Sequence, residues 1–185
     1  MTKAQLTVLA GPTAVGKGTV VTALTKRYPT LKVSVSATTR DPRPGELNGV
    51  HYYFVSRQDF DAMIERGDML EWALVHGNNK YGTPRGPVDE ALNAGTPVLL
   101  EIDLAGARQV RAKRPDAQFI FLSPPSWEEL ERRLIGRGTE GAEEQARRLA
   151  TARVELDAAS EFDHVVINDD VERAVDELAR LIGLE

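Results

Sequence analysis

The sequence contains no cysteine and only three histidines, His51, His76 and His164. Without cysteine the chain has no disulfides and no thiolate ligands for a metal, which agrees with a reducing compartment. The three histidines share no metal-binding spacing, and this argues against a zinc centre. The composition therefore disfavours disulfide-stabilised secreted domains and zinc-dependent enzymes.

Long hydrophobic runs are also missing. No apolar stretch reaches the roughly 20 residues that span a bilayer, and the first residues lack the apolar core of a signal peptide. We therefore expect a cytoplasmic protein without a membrane partner. With 42% hydrophobic and 28% charged residues among 185, the chain should fold throughout, as a single domain over residues 1–185.

An excess of positive charge is absent as well. The net charge of −5 argues against a general nucleic-acid-binding protein, because neutralising many phosphates requires a surplus of basic residues. The arginines are nevertheless grouped, first at Arg40 and Arg43 and again between residues 132 and 148. Local groups of this kind favour compact polyanions. An acidic protein with basic pockets is typical of enzymes that handle phosphate.

The sequence alternates apolar strands with helices. Runs at 6–10, 97–102, 118–122 and 164–167 resemble strands buried on both faces of a parallel sheet. Helical patterns lie between and after them, one beginning with the capping pair Ser126 and Glu129, the last near Val171. A shorter strand is expected at 31–35. This alternation predicts an α/β class, three-layer fold with a mostly parallel central sheet.

Residues 36–87 have a different pattern. Apolar runs at 51–55 and 69–75 indicate strands, and a short helix between them has Ser56 as its predicted cap. Residues 76–79 form a turn signal that reverses the chain. We interpret this stretch as a mixed, mostly antiparallel lobe, inserted into a core made of residues 1–35 and 88–185.

A phosphate-binding loop follows the first strand. Residues 11–17 read Gly-Pro-Thr-Ala-Val-Gly-Lys and lie between a predicted strand and a predicted helix, as a P-loop requires. Glycines let successive backbone N–H groups face a phosphate, and Lys17 adds a full positive charge. The alternative, a glycine turn with a solvated lysine, does not explain this context. The predicted ATP-binding loop comprises Gly11, Pro12, Thr13, Ala14, Val15, Gly16, Lys17, Gly18 and Thr19, and it predicts a P-loop NTPase fold.

One position departs from the general P-loop pattern. Gly18 stands where that motif has a serine or threonine that contacts magnesium. Thr19 could replace this hydroxyl, or Mg²⁺ could rely on water and acidic groups. The acidic candidate is Asp103, just beyond the strand at 97–102, where open α/β sheets gather their ligands. Asp103 could instead be a helix cap or a turn residue.

The next segments narrow the function. Residues 36–46 read Ser-Ala-Thr-Thr-Arg-Asp-Pro-Arg-Pro-Gly-Glu and residues 48–54 read Asn-Gly-Val-His-Tyr-Tyr-Phe. Glu-Trp-Ala, Tyr-Gly-Thr, Glu-Ile-Asp and Gly-Arg-Gly-Thr-Glu follow at 71–73, 81–83, 101–103 and 136–140. In order and spacing these segments resemble the guanylate kinases over nearly the whole chain. The resemblance implies reversible, Mg²⁺-dependent transfer of the γ-phosphoryl group from ATP to GMP or dGMP.

The resemblance also implies a GMP site in the inserted lobe. The family's contacts to the GMP phosphate fall on Arg40, Arg43, Tyr52 and Tyr81. Guanidinium groups suit a phosphate dianion, and tyrosine hydroxyls add neutral donors. The alternative is that the tyrosines are ordinary sheet residues and the arginines solvated loop charges.

Guanine selection is implied for Glu71, a carboxylate that would accept from the ring N1–H and the exocyclic amine. Adenine offers no such pair of donors, so a buried acceptor would be left unpaired by it. Ser36 and Thr83 match positions with supporting hydroxyls near the base. Glu101 stands where many members of the family have aspartate.

A third segment, at about 134–150, resembles the mobile lid that closes over ATP. Arg133, Arg137 and Arg148 match the family's phosphate-contacting arginines and, with Lys17, are the predicted catalytic residues. For Arg132 and Arg147 we prefer surface pairs with glutamate. Asn168 and Asp169 match a segment near the adenine of ATP.

Two other functions share part of this pattern. One is a noncatalytic guanylate-kinase-like module that binds proteins, although such a module should lack a working phosphate loop. The other is a related kinase on the same scaffold that acts on a phosphorylated sugar or another nucleotide, which Glu71 and the phosphate-binding residues disfavour. The sequence leaves monomer and homo-oligomer equally open.

Overall fold

A computed structural model describes residues 4–136 and 141–185 of the chain. Within these residues the strands, in chain order, are β1 (Leu6–Ala10), β2 (Lys32–Val33), β3 (Ala37–Thr38), β4 (Tyr53–Phe54), β5 (Met69–Val75), β6 (Asn79–Pro84), β7 (Val98–Glu101), β8 (Gln118–Ser123) and β9 (His164–Ile167). The helices are α1 (Lys17–Arg27), α2 (Arg57–Glu65), α3 (Arg85–Asn93), α4 (Leu104–Lys113), α5 (Trp127–Ile135), α6 (Ala142–Asp157) and α7 (Val171–Ile182), with a 3₁₀ turn at Ala158–Glu161.

The larger sheet has five strands in the order β2-β7-β1-β8-β9, and every pair in it is parallel. Because parallel strands end at the same edge, the segments that leave β1, β7 and β8 are neighbours there. The phosphate loop, Asp103 and Ser126 all follow this edge. The predicted α/β fold with a parallel sheet is confirmed, and β1 and β9 have the predicted bounds.

Helices cover both faces of this sheet. Successive residues of a strand point to opposite faces, so the apolar strands present hydrophobic side chains to the helices on each side. Leu9 packs in one buried cluster with residues of α1 and α7, whereas Val8 packs in another with residues of α3 and α4. Both side chains are fully buried. A smaller cluster joins α5 to α6 through Leu130, Leu134 and Ala152. Helices therefore lie on both faces of the sheet, while the edge at the carboxyl ends of its strands carries the phosphate loop and Asp103.

The second sheet has four strands in the order β4-β3-β6-β5, all lying between residues 37 and 84. β6 pairs antiparallel with both β3 and β5, whereas β3 and β4 are parallel. β5 has the predicted bounds, and Ser56 caps α2 by accepting the Asp59 N–H at 3.0 Å.

Two predicted strands are shorter than expected. The run at 51–55 yields only β4, because the preceding loop folds on itself and the Leu47 N–H donates to Nδ1 of His51 at 2.9 Å. The Gly49 N–H likewise donates to the Tyr52 carbonyl at 2.7 Å, which makes Tyr52 part of the turn. The run at 31–35 is reduced to β2.

No helix in the part of the chain that the structure describes combines the length and the apolar character needed to cross a membrane.

Candidate active site

The phosphate loop joins β1 to α1 and is held in a tight conformation. Ala14 and Gly16 have left-handed backbone angles, with φ of 69° and 96°. A Cβ at Gly16 would also lie 2.9 Å from Nδ2 of Asn168, so a side chain is excluded there by space as well as by conformation. α1 begins immediately afterwards, which places its N-terminus at the loop.

Lys17 lies inside this loop. Its ammonium donates to the carbonyls of Gly11, at 3.0 Å, and Ile102, at 3.5 Å. Burial lowers the pKa of Lys17, while the carboxylates of Glu101, Glu155 and Asp103 act in the opposite direction. The predicted phosphate-binding cation is therefore surrounded by three carboxylates at the carboxyl edge of the parallel sheet.

Asn168 and Arg133 brace the phosphate loop from outside. Both donate to the Val15 carbonyl, Asn168 at 2.8 Å and Arg133 at 3.2 Å. Asn168 is buried, and its backbone N–H donates to the carbonyl of Ser123. The structure thus places Asn168 against the loop itself, whereas Asp169 beside it is exposed and pairs with Arg173 at 2.7 Å.

α6 faces the phosphate loop across a cavity of about 340 Å³. The cavity is lined by Thr13 from the loop and by Glu144, Arg147, Arg148 and Thr151 from the helix. Arg148 lies 3.5 Å from Glu144, and Arg147 lies 3.2 Å from the same carboxylate. Arg147 therefore lines the cavity as well as forming the surface pair that we expected.

Arg132 also forms a surface pair, with Glu129 at 3.2 Å. Arg133 shares that carboxylate at 3.4 Å while it contacts the phosphate loop. The prediction for Arg137 falls outside the described residues.

Glu155 is a site residue that sequence reasoning missed. Its carboxylate accepts the N–H of Thr13 and faces Lys17 and Asp103. Burial raises the pKa of Glu155, and Lys17 opposes that effect. Glu155 follows Arg148 by seven residues, two helical turns, so helical spacing from a predicted site arginine would have placed it on the same face.

Asp103 is the helix cap that the sequence left open as an alternative. Its Oδ1 accepts the Gly106 N–H at 2.8 Å at the start of α4. The side chain is exposed at the edge of the sheet, as is Thr19 in the first turn of α1. In residues 4–136 and 141–185 no three histidine, cysteine, aspartate or glutamate side chains form a metal-binding group. A metal held here would need phosphate oxygens and water to complete its shell.

The lobe gathers three of the four predicted GMP-phosphate residues, which we call the GMP-phosphate cluster: Arg40, Tyr52 and Tyr81. The Arg40 guanidinium lies over the Tyr52 ring at 5.2 Å and donates to the Tyr81 side chain. The rings of Tyr52 and Tyr81 meet edge to face at 5.9 Å. The fourth residue, Arg43, contributes its backbone N–H to Glu46, and its side chain is exposed.

Glu46 holds this cluster in place. One oxygen accepts from Nη1 of Arg40 at 2.8 Å and from the Arg43 N–H at 2.7 Å, and the other accepts from Nη2 of Arg40 at 3.0 Å. The hydrogen bonds from Arg40 and then from the Arg43 N–H lower the pKa of Glu46 to about 2. The sequence motif contains Glu46, yet the resemblance assigned it no role.

Glu71 is a buried carboxylate on β5, with 8% of its surface exposed. Thr83, its cross-strand neighbour on β6, donates to Oε1 at 2.8 Å. Burial raises the pKa of Glu71, and the Thr83 hydroxyl opposes that effect. A buried carboxylate with one oxygen fixed by a hydroxyl is suited to accept from a paired set of N–H donors.

The two remaining residues predicted for the GMP site lie at the ends of strands. Ser36 precedes β3 and is partly buried, and its carbonyl accepts the Tyr53 N–H at 2.9 Å. Glu101 ends β7 and faces Lys17. Glu101 thus lies on the phosphate-loop side of the cleft.

One protein family matches nearly the whole chain. Residues 3–185 match the family model described as "Guanylate kinase". A guanylate kinase of Leifsonia xyli subsp. xyli is 62% identical over 177 residues, which cover 96% of this chain and 70% of the relative. One of Rhodococcus jostii is 58% identical over 181 residues, which cover 97% and 87%.

Solved structures give the same result. The crystal structure of guanylate kinase from Anaplasma phagocytophilum has a TM-score of 0.74 and 32% identity, covering 99% of this chain and 86% of that one. Shikimate kinase from Bacteroides thetaiotaomicron, at 13% identity and a TM-score of 0.50, shares the fold alone.

Proposed function

The chain belongs to the guanylate kinase family, and we propose that it transfers the γ-phosphoryl group of ATP to GMP, with Mg²⁺, on the residues described above. One observation best supports this assignment of residues: the same lobe contains both the buried carboxylate of Glu71 and the GMP-phosphate cluster. Together they match the donor edge of guanine and the phosphate of a nucleoside monophosphate.

The protein residues act mainly by positioning and by charge, because in-line phosphoryl transfer needs little covalent help. Lys17 and the N–H groups of the phosphate loop bind the β and γ phosphates of ATP. The GMP-phosphate cluster holds the attacking phosphate of GMP. Nη1 and Nη2 of Arg40 both donate to Glu46. The phosphate of GMP would therefore approach the other edge of the guanidinium, which carries Nε.

Mg²⁺ fits the charge at the ATP end of the site. Three carboxylates face Lys17, and an added polyphosphate would bring further negative charge that one lysine cannot balance. Asp103 and Thr19 would hold the ion together with phosphate oxygens and water. When bound, it would neutralise charge on the β and γ phosphates.

Closure of the lobe at 36–87 and of the lid at about 134–150 completes the proposed site. Arg133 already contacts the phosphate loop, and Arg148 lines the cavity beside it. Arg137 would join them after closure, when water is excluded and loss of the γ phosphate to hydrolysis is suppressed. Substrates of this kind suit a cytoplasmic enzyme, and dGMP, which keeps the guanine edge and the phosphate, should also be accepted.

A coupled assay with ATP and each nucleoside monophosphate tests the proposal. GMP should be the preferred acceptor, and Lys17→Ala should abolish transfer. Equal use of AMP, CMP or UMP would contradict the assigned guanine site. Stoichiometric binding of GMP without turnover would instead favour the noncatalytic module.

A further inference from the structure

Gly106 lies where two acidic residues of the site meet. It is buried in the first turn of α4. A Cβ built on it would lie 3.1 Å from Oε2 of Glu71 and 3.1 Å from Oδ1 of Asp103. Both distances are shorter than ordinary van der Waals contact between carbon and oxygen, so a methyl group would have to displace each carboxylate.

The two carboxylates differ in their freedom to move. Asp103 is exposed, so its side chain can rotate towards solvent, which gives up the hydrogen bond that it accepts from the Gly106 N–H. Glu71 is buried, and its other oxygen is fixed by Thr83 at 2.8 Å. The contact between Gly106 and Glu71 is therefore the restrictive one.

The strand that carries Glu71 cannot slide away from α4 either. Gln109 of α4 accepts the Trp72 N–H at 3.1 Å and donates to the Trp72 carbonyl at 2.9 Å. Lys113, at the end of the same helix, donates to the Met69 carbonyl at 2.7 Å. These contacts hold α4 against β5 on both sides of Glu71, so an added methyl group at Gly106 must be accommodated by the Glu71 side chain.

We infer that Gly106 is a positioning residue for guanine recognition: its missing side chain leaves free the space that the Glu71 carboxylate occupies in its base-binding position. The inference depends on the proposed role of Glu71. Gly106 has a helical backbone, which alanine adopts more readily than glycine. The glycine thus weakens the helix while making room for the carboxylate.

Gly106→Ala in the full chain tests the inference. The KM for GMP should rise about tenfold, as expected for one weakened hydrogen bond to a charged group. The ratio of kcat/KM for GMP over IMP, which lacks only the exocyclic amine, should fall. The KM for ATP should change less than the KM for GMP, because Asp103 can rotate whereas Glu71 cannot. The melting temperature should change little, because the higher helix propensity of alanine offsets a weakened Asp103 cap. A merely structural role would lower the melting temperature and leave the GMP to IMP ratio unchanged.

Gly86→Ala is the matched control. Gly86 is also in the first turn of a helix, α3, and no heavy atom lies within 4 Å of its Cβ position. This variant should keep the GMP kinetics and the GMP to IMP ratio of the unmodified protein.

Two further variants separate the possible failures. In a Glu71→Asp background the carboxylate is one methylene shorter, so adding Gly106→Ala should change the KM for GMP less than about twofold. Full additivity of the two changes, or an unchanged GMP to IMP ratio in Gly106→Ala alone, would overturn the inference. If Glu71→Gln also leaves GMP use unchanged, the proposed guanine site itself is wrong; if only Glu71→Gln impairs it, the role of Gly106 alone is wrong.

Discussion

Arg40 and Glu46 form a two-point ion pair in which both terminal nitrogens of the guanidinium donate to the carboxylate, at 2.8 and 3.0 Å. Both side chains are largely shielded from solvent, with 14% and 19% of their surfaces exposed. A paired planar fork has few alternative orientations. The arginine is thus oriented towards Tyr52 and Tyr81 before any phosphate arrives.

Glu46→Gln should therefore impair GMP binding without affecting ATP. The amide has an NH₂ donor in place of one carboxylate oxygen, so one terminal nitrogen of Arg40 would face a donor instead of an acceptor. We expect the KM for GMP to rise about tenfold, in line with the loss of one charge-assisted hydrogen bond. Steady-state kinetics with each substrate varied in turn provide the measurement, and an equal rise in the KM for ATP would argue against a local effect.

Because of this ion pair, Glu46 should stay ionised at a pH where an ordinary glutamate is protonated. The pKa of Glu46 falls from 4.5 to about 2, so the stabilisation it provides is fully present above pH 4.5 and is lost as the pH falls towards 2. The ¹³C carboxyl resonance of Glu46 should still report the ionised form at about pH 3.5, where an ordinary glutamate is mostly protonated. A midpoint near 4.5 would show that the ion pair does not persist in solution.

Glu71→Gln should reduce selection of guanine. The glutamine amide group would face the N1–H and amine donors of the base with one acceptor fewer, and would leave donors opposed to donors. We expect kcat/KM for GMP to fall by a factor of about 10 to 100, which corresponds to one or two weakened polar contacts. Glu65→Gln makes the same change at an exposed glutamate at the end of α2 and is the control, which should keep kcat/KM for GMP within about twofold. A similar loss in ATP binding by Glu71→Gln would contradict the assigned role.

Asn168→Ala should weaken ATP binding through the phosphate loop. The variant leaves the Val15 carbonyl with Arg133 as its remaining side-chain donor among the described residues. Because Arg133 still satisfies the carbonyl, the lost hydrogen bond should cost about 0.5–1.5 kcal/mol, and both the melting temperature and the affinity for ATP should decrease. Asn93→Ala, the same change at an exposed asparagine at the end of α3, is the control and should leave ATP binding within about twofold. An unchanged KM for ATP in Asn168→Ala would show that the loop is held without this contact.

The sequence predicts the parts of the fold that depend on local pattern. The apolar runs of β1, β5 and β9 are long enough to define their bounds, and the Ser126 cap begins α5 as expected. β4 is shorter than its apolar run because Tyr52 is engaged by Gly49 in a local turn. Hydrophobicity does not report such a contact, since it depends on the conformation of the neighbouring loop.

The candidate site was predictable where a motif carries the chemistry, as at Lys17, Arg40 and Glu71. It was not predictable where residues far apart in sequence meet. Asn168 donates to the carbonyl of Val15 in the phosphate loop, which is 153 positions away in the sequence. Glu155 reaches Thr13 from α6. Helical spacing places Glu155 on the Arg148 face of α6, and Asn168 was a predicted site residue. Their contacts with the phosphate loop do not follow from spacing, because those contacts arise from the packing of helices and strands.

A crystal structure with GMP bound tests the central claim most directly. The account predicts that the GMP phosphate lies against the Nε edge of Arg40 and the hydroxyls of Tyr52 and Tyr81, with N1 and the exocyclic amine of guanine directed at Glu71. Guanine bound elsewhere, or a phosphate that displaces Glu46 and leaves Glu71 without contact to the base, would contradict it.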